Sequence, residues 1–194
     1  MGVTIHYRGR LRQKKDIEAI TLEVEDLCKS AHWKYHLWNG MDENKPLHGI
    51  SFQTHPESES VWMTFDKEGV LHNFFSIDGT VDYHDEEGYP WNFTKTQFAG
   101  VEAHIVVCKL LRFLGDKYFE DWKVMDEGRY YETGDATYLK QVMDFISDAI
   151  NDLSESLTDI PAKDGESLVQ YITDIAKRFA QRNPPPTPPE EVGN

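Results

Sequence analysis

Residues 60–79 read SVWMTFDKEGVLHNFFSIDG, and their punctuation decides the fold. Val61, Met63 and Phe65 alternate with Trp62 and Thr64, the period of two of a strand with one covered face. Asp66-Lys67-Glu68-Gly69 then suits a four-residue turn. Val70 to Ile77 resumes the strand pattern, and Asp78-Gly79 is a two-residue hairpin signal whose residues tolerate positive φ. Adding His48–Thr54 before it and Thr80–His84 after it predicts an antiparallel meander. Val61, Met63, Phe65, Leu71, Phe75 and Ile77 would then face helices, and Trp62, His72 and Phe74 would point away, with His36 and Trp38 beside them.

Upstream, Val3, Ile5 and Tyr7 alternate with Thr4, His6 and Arg8, predicting a strand. Ile17, Ile20, Val24, Leu27, Cys28 and Ala31 recur at threes and fours, predicting a helix from Lys14 to Ala31. Trp33 to Trp38 returns to alternation. Downstream, Asp85–Pro90 is an acidic loop, Trp91–Thr96 a short strand, and Phe98–Leu114 a helix that apolar residues nearly encircle, as expected of a helix at the centre of a core. Trp122–Asp126 and Arg129–Glu132 read as a second hairpin about Glu127-Gly128. Asp135 is placed to cap a helix running to about Leu157, and a last amphipathic helix ends before Asn183.

The predicted class is α+β, a mainly antiparallel sheet with helices packed chiefly on one face and helices at the C-terminal end. The division is a main domain over 1–160, a helix over 161–182 and a proline-rich extended tail over 183–194. That tail would reach about 35 Å at about 3.1 Å per residue.

Acidic residues outnumber basic ones 34 to 20 for a net charge of −14, which argues against nucleic acid as a partner. Arg8, Arg10, Arg12, Lys14 and Lys15 concentrate basic charge near the start, where pairing with acidic residues of the same chain is the expected use. Nowhere do about 18 apolar residues run together, so no membrane span is expected, and Met1 to Leu11 lacks the order of a secretory signal. A cytoplasmic protein with two reduced cysteines follows. Its expected partner is a protein or small molecule, and the oligomeric state is left open.

Phosphate loops, dinucleotide fingerprints, H-E-x-x-H, C-x-x-C and G-x-S-x-G are all absent, so no cofactor is expected. Weaker groupings remain. His104 and Cys108, four apart, share one helix face, where imidazole beside thiol is one way to activate a nucleophile. Asp126, Glu127 and Glu132 crowd a connection in which burial would separate carboxyl pKa values for acid/base work. Asp82 and His84 offer oxygen and nitrogen to a metal. His32 and His36, on a strand, would lie about 13 Å apart and could not share one. Lys95 precedes a helix whose free N–H groups favour an anion, with Thr96 as the expected N-cap. Trp38, Trp62, His72 and Phe74 form a candidate ligand face.

The leading expectation is a binding or interaction domain using that aromatic face. The alternative is a metal-assisted or carboxylate-based hydrolase with its site near His84 or Glu132.

Overall fold

In a computed structural model, which describes residues 2–40, 46–77, 84–158, 165–182 and 184–189, the chain forms a mixed α+β fold with two small antiparallel sheets. The order is β1 (Thr4–Leu11), α1 (Asp16–Ala31), β2 (Lys34–Asn39), β3 (His48–Gln53), β4 (Val61–Phe65), β5 (Leu71–His72), β6 (Asn92–Lys95), α2 (Gly100–Tyr118), β7 (Phe119–Asp126), α3 (Tyr130–Thr133), α4 (Ala136–Thr158) and α5 (Gly165–Arg182).

The predicted meander is present from His48 to His72 as β3-β4-β5, with β2 of the opening paired to its edge, and the other sheet is ordered β6-β1-β7. The strand-helix-strand opening therefore crosses between sheets, β1 pairing with β6 and β7 while β2 pairs with β3. An isolated bridge between Arg10 and Val70, and the Leu11 N–H donated to the Gly69 carbonyl at 3.0 Å, stitch the two sheets together. The Tyr7 hydroxyl adds a second stitch by accepting the Trp62 N–H at 2.8 Å.

The core lies between sheets and helices. Ile50, Phe52, Val61, Met63, Phe65 and Leu71 from the meander meet Ile20, Val24 and Cys28 of α1 and Val107, Leu111 and Leu114 of α2. Helix α1 stops where expected because His32 turns left-handed, at φ 56°, and Trp33 donates its N–H back to the Cys28 carbonyl. Helix α4 begins at the expected cap, with the N–H groups of Thr137 and Tyr138 donated to Asp135 Oδ1 at 2.9 and 3.0 Å. It docks through Leu139 and Met143 against Val3, and pairs with α5 through the tilted rings of Phe145 and Phe179, whose centres lie 5.3 Å apart.

Four expectations need correction. The predicted strand over Val70–Ile77 keeps its regular pairing only at Leu71 and His72, because Asn73 Oδ1 accepts the N–H groups of Phe75 and Ser76 and bends the chain into a turn. Phe75 is accordingly half exposed instead of core. Helix α2 is one-sided: His104, Val107, Cys108, Leu111 and Leu114 are buried, whereas Val106 and Phe113 face outward. It also runs four residues further, to Tyr118, and passes directly into β7.

The hairpin about Glu127-Gly128 does not form. Arg129 adopts a left-handed conformation, and the chain enters the helical turn α3 while β7 pairs with β1. Thr96 caps nothing; Ala99 holds the N-cap position of α2 without a side-chain bond, and Thr96 is used elsewhere. The Asp78-Gly79 turn and all of Thr80–His84 but His84 lie outside the described residues.

The basic cluster near the start is largely spent inside the fold. Arg8 is fully buried and meets Asp85, Glu87 and Asp121, with the Tyr89 ring 4.9 Å from its guanidinium carbon. Arg10 pairs with Glu120, and Lys14 with Glu68.

Candidate functional site

Asp126 ends β7 and is 3% exposed, which leaves its carboxylate dependent on protein donors. Four meet it. Oδ1 accepts the Gly128 N–H at 2.7 Å, and Oδ2 accepts the Tyr131 N–H at 2.9 Å, so the carboxylate shapes the turn into α3. Oδ2 also lies 2.9 Å from His104 Nε2 and 3.6 Å from Cys108 Sγ. Helical spacing puts His104 and Cys108 one turn apart on the buried stripe of α2, and the β1–β7 pairing fixes Asp126 opposite Ile5 and brings it to them.

The other His104 nitrogen is held as well, with Nδ1 2.7 Å from Thr96 Oγ1. Glu132, exposed on α3, reaches back so that Oε1 accepts the Asp126 N–H at 3.1 Å. Glu127 takes a different part, accepting the Thr4 N–H at 2.9 Å and facing His6 at 3.6 Å.

Charge in this cluster has a clear direction. Burial alone would raise the Asp126 carboxyl; the hydrogen bond and charge of His104, with the N–H groups of Tyr131 and Gly128, outweigh it and hold the group below its ordinary value. Burial first, then the neighbouring Asp126 carboxylate, push the Cys108 thiol far above its ordinary value. Without a positive neighbour at bonding distance this thiol stays protonated, which is the opposite of an activated nucleophile. A cation would reverse that. The donor atoms of His104, Cys108 and Asp126 all lie within 4.8 Å of one another, and no other such group of three occurs among the described residues.

A cavity of about 290 Å³ opens beside the cluster, lined by Cys108, Lys109, Arg112, Tyr130 and Glu132 among others. Two candidate groups that the sequence lists separately, the histidine-cysteine pair of α2 and the carboxylates Asp126 and Glu132, are therefore one site, and Glu127 stands outside it.

The remaining candidates lie elsewhere. His72 Nε2 is 3.6 Å from Asp66 Oδ2 and Nδ1 is 3.4 Å from Ser76 Oγ; burial first, and the nearby His84, lower its pKa against the pull of Asp66. His72 and His84 thus form one group, and His104 and Glu132 another. Asp82 falls outside the described residues. Trp38 and Trp62 are in ring contact at 5.7 Å and Trp38 and Phe74 at 6.0 Å, and Trp38 Nε1 donates to Ser51 Oγ at 3.0 Å, so the aromatic face is a single cluster. Lys95 Nζ sits 5.4 Å from the centre of the Phe98 ring, and its backbone N–H is donated to Glu59.

Thr96 is the one member of the buried cluster that sequence reasoning assigned to another task. Its signal was the eight-residue interval to His104, which means nothing until the chain turns between them.

The chain matches no protein-family model, no curated protein and no solved structure.

Proposed function

We propose that this protein is a metal-assisted hydrolase, with a divalent ion held by His104 Nε2, Cys108 Sγ and an oxygen of Asp126 and with Glu132 as the proton-accepting carboxylate. The observation that carries this reading is the clustering of those three donors within 4.8 Å beside a cavity that also holds Glu132. Nitrogen, sulfur and oxygen together suit zinc, and three protein ligands leave a fourth position open for water or substrate, as in catalytic zinc sites. Tetrahedral ligands at about 2.0–2.3 Å from zinc stand about 3.3–3.7 Å from one another. The 2.9 Å between His104 and Asp126 need open by only a few tenths of an ångström, and the 3.6 Å between Cys108 and Asp126 already fits.

Outer contacts support the same reading. Thr96 holds the histidine nitrogen that would not ligate, and Gly128 and Tyr131 hold the carboxylate by its backbone donors, the kind of support that orients metal ligands. A bound ion would make water a nucleophile near neutral pH. Glu132 would take the proton of that water as its oxygen adds to a carbonyl carbon, and would pass it to the leaving amine or alkoxide.

Metal analysis of protein purified without chelator tests the site. One equivalent of zinc is expected, or one equivalent of cobalt with a thiolate charge-transfer band, lost in Cys108→Ser and His104→Ala. Absence of stoichiometric metal together with no thermal shift from zinc, manganese or magnesium would remove the reading. A panel of esters, phosphoesters and peptides tests the activity, for which Glu132→Gln should lower kcat by about 100-fold or more while metal is retained.

A second reading rests on the contacts among Trp38, Trp62 and Phe74, which suit a binding face for a planar apolar ligand. Quenching of Trp fluorescence by a ligand library, abolished in Trp62→Ala, is its test; no quenching by any compound would end it.

A further inference from the structure

We infer that the cavity beside Cys108 selects a small substrate carrying an oxyanion group, carboxylate or phosphate, at one end, with Arg112 and Lys109 holding that group. What happens after capture rests on the proposed metal site; the capture itself does not.

On α2, His104, Cys108 and Arg112 follow at four-residue intervals, so one helix stripe leads from the buried imidazole past the thiol to the wall of the cavity. Lys109 joins Arg112 there. Arg112 is positioned and not merely exposed: one N–H of its guanidinium is donated to the Tyr131 carbonyl, and its Cζ lies 4.8 Å from the centre of the Tyr131 ring. That anchoring leaves further N–H donors of the planar fork for a ligand, and a bidentate fork is the geometry that carboxylate and phosphate match.

Charge accounting leaves the pair available to a ligand. The chain carries 34 acidic residues against 20 basic ones, and Arg8, Arg10, Lys14, Lys29, Lys117 and Lys123 all stand in ion pairs. Among the described residues, neither Lys109 nor Arg112 has a carboxylate within 4.0 Å. What singles out this wall is the guanidinium held in place by Tyr131 beside a second cation, an arrangement that suits an anion.

Glu132 sharpens the chemistry. Its carboxylate lines the same cavity and repels negative charge, so a ligand fits by placing its oxyanion at the Arg112 and Lys109 wall and an uncharged bond, amide or ester, toward Cys108 and Glu132. A volume of about 290 Å³ admits only a small molecule.

Calorimetric titration of inorganic phosphate and, separately, of acetate into the full chain, with and without zinc, tests this. At least one probe should bind, and the tighter one names the oxyanion. Affinity should fall at least tenfold in the Arg112→Ala and Lys109→Ala double variant and part of the way in Arg112→Lys, which keeps the charge and loses the fork. Zinc uptake should be unchanged in all of them. Lys109→Ala alone, at an exposed helix position, gives the same test with reduced amplitude should Arg112→Ala unfold. If neither probe binds, or the variants bind both as well as wild type, the inference is overturned even where zinc is taken up. If zinc is refused and the variants still lose the anion, the inference stands and the metal reading falls.

Discussion

His104 Nε2 lies 2.9 Å from Asp126 Oδ2 with both side chains out of water, and this contact joins the second turn of α2 to the end of β7 across 22 residues of chain. The carboxylate at its centre accepts two backbone N–H groups through different oxygens, which makes it as important to the turn into α3 as to any ligand.

Asp126→Asn should therefore be costly. An amide has one oxygen, so its NH₂ must face the N–H of Gly128 or of Tyr131, donor against donor. A destabilisation of about 3 kcal/mol is expected from the loss of hydrogen bonds to a buried charge, measured as a shift in urea midpoint at pH 7 with unchanged slope.

The same carboxylate gives a pH signature. Its folded pKa is depressed, so its contribution is complete above the unfolded value of about 3.9 and disappears as pH falls through the folded one. The stability gap between wild type and Asp126→Asn should close progressively below about pH 4. Urea unfolding at a series of pH values checks it; a gap that widens on acidification would contradict the direction of the shift.

Thiol chemistry should report burial. Cys28 is pushed up to about 11, chiefly by burial, and Cys108 further still by burial and by Asp126. Both thiols should be silent to a chromogenic disulfide reagent at pH 8 in native protein and react together in denaturant. Because Cys108 is protonated when metal-free, zinc uptake should release a proton and tighten as pH rises, which calorimetry in two buffers of different ionisation enthalpy measures.

Arg8 offers a test away from the site. Its Nε, Nη1 and Nη2 each serve a different carboxylate, those of Asp85, Asp121 and Glu87. Arg8→Ala leaves three acids facing one another and should cost about 3 kcal/mol, the low end for breaking a buried pair because Glu87 and Asp121 keep contact with water. Arg8→Lys, with one point charge for three partners, should recover only part of it.

Gly115→Ala sets helix propensity against packing. Alanine favours a helix interior by about 1 kcal/mol, but a Cβ at Gly115 would overlap the Trp122 indole, with Cε2 at 2.9 Å and Nε1 and Cδ1 closer still. The rigid ring wins, and thermal unfolding should show a net loss of about 1–2 kcal/mol, the usual scale of overpacking.

The sequence by itself determined the α+β class, the antiparallel pairing of His48–Gln53 with Val61–Phe65, α1, the cap at Asp135 and the shared face of His104 and Cys108, because each follows from periodicity or turn chemistry within a few residues. Only the tertiary structure decided what lies across long chain separations. Periodicity shows that Asp126 ends a strand, but β1 pairing is what carries that strand end to α2. Glu127-Gly128 reads as a hairpin in sequence, but the buried Asp126 carboxylate, by taking the N–H groups of Gly128 and Tyr131, turns the chain into α3 instead. For the same reason the sequence could list a histidine-cysteine pair and a carboxylate cluster without joining them. The two meet only because a buried charge must find donors, and in this fold His104, Cys108 and the N–H groups of Gly128 and Tyr131 are the donors within reach.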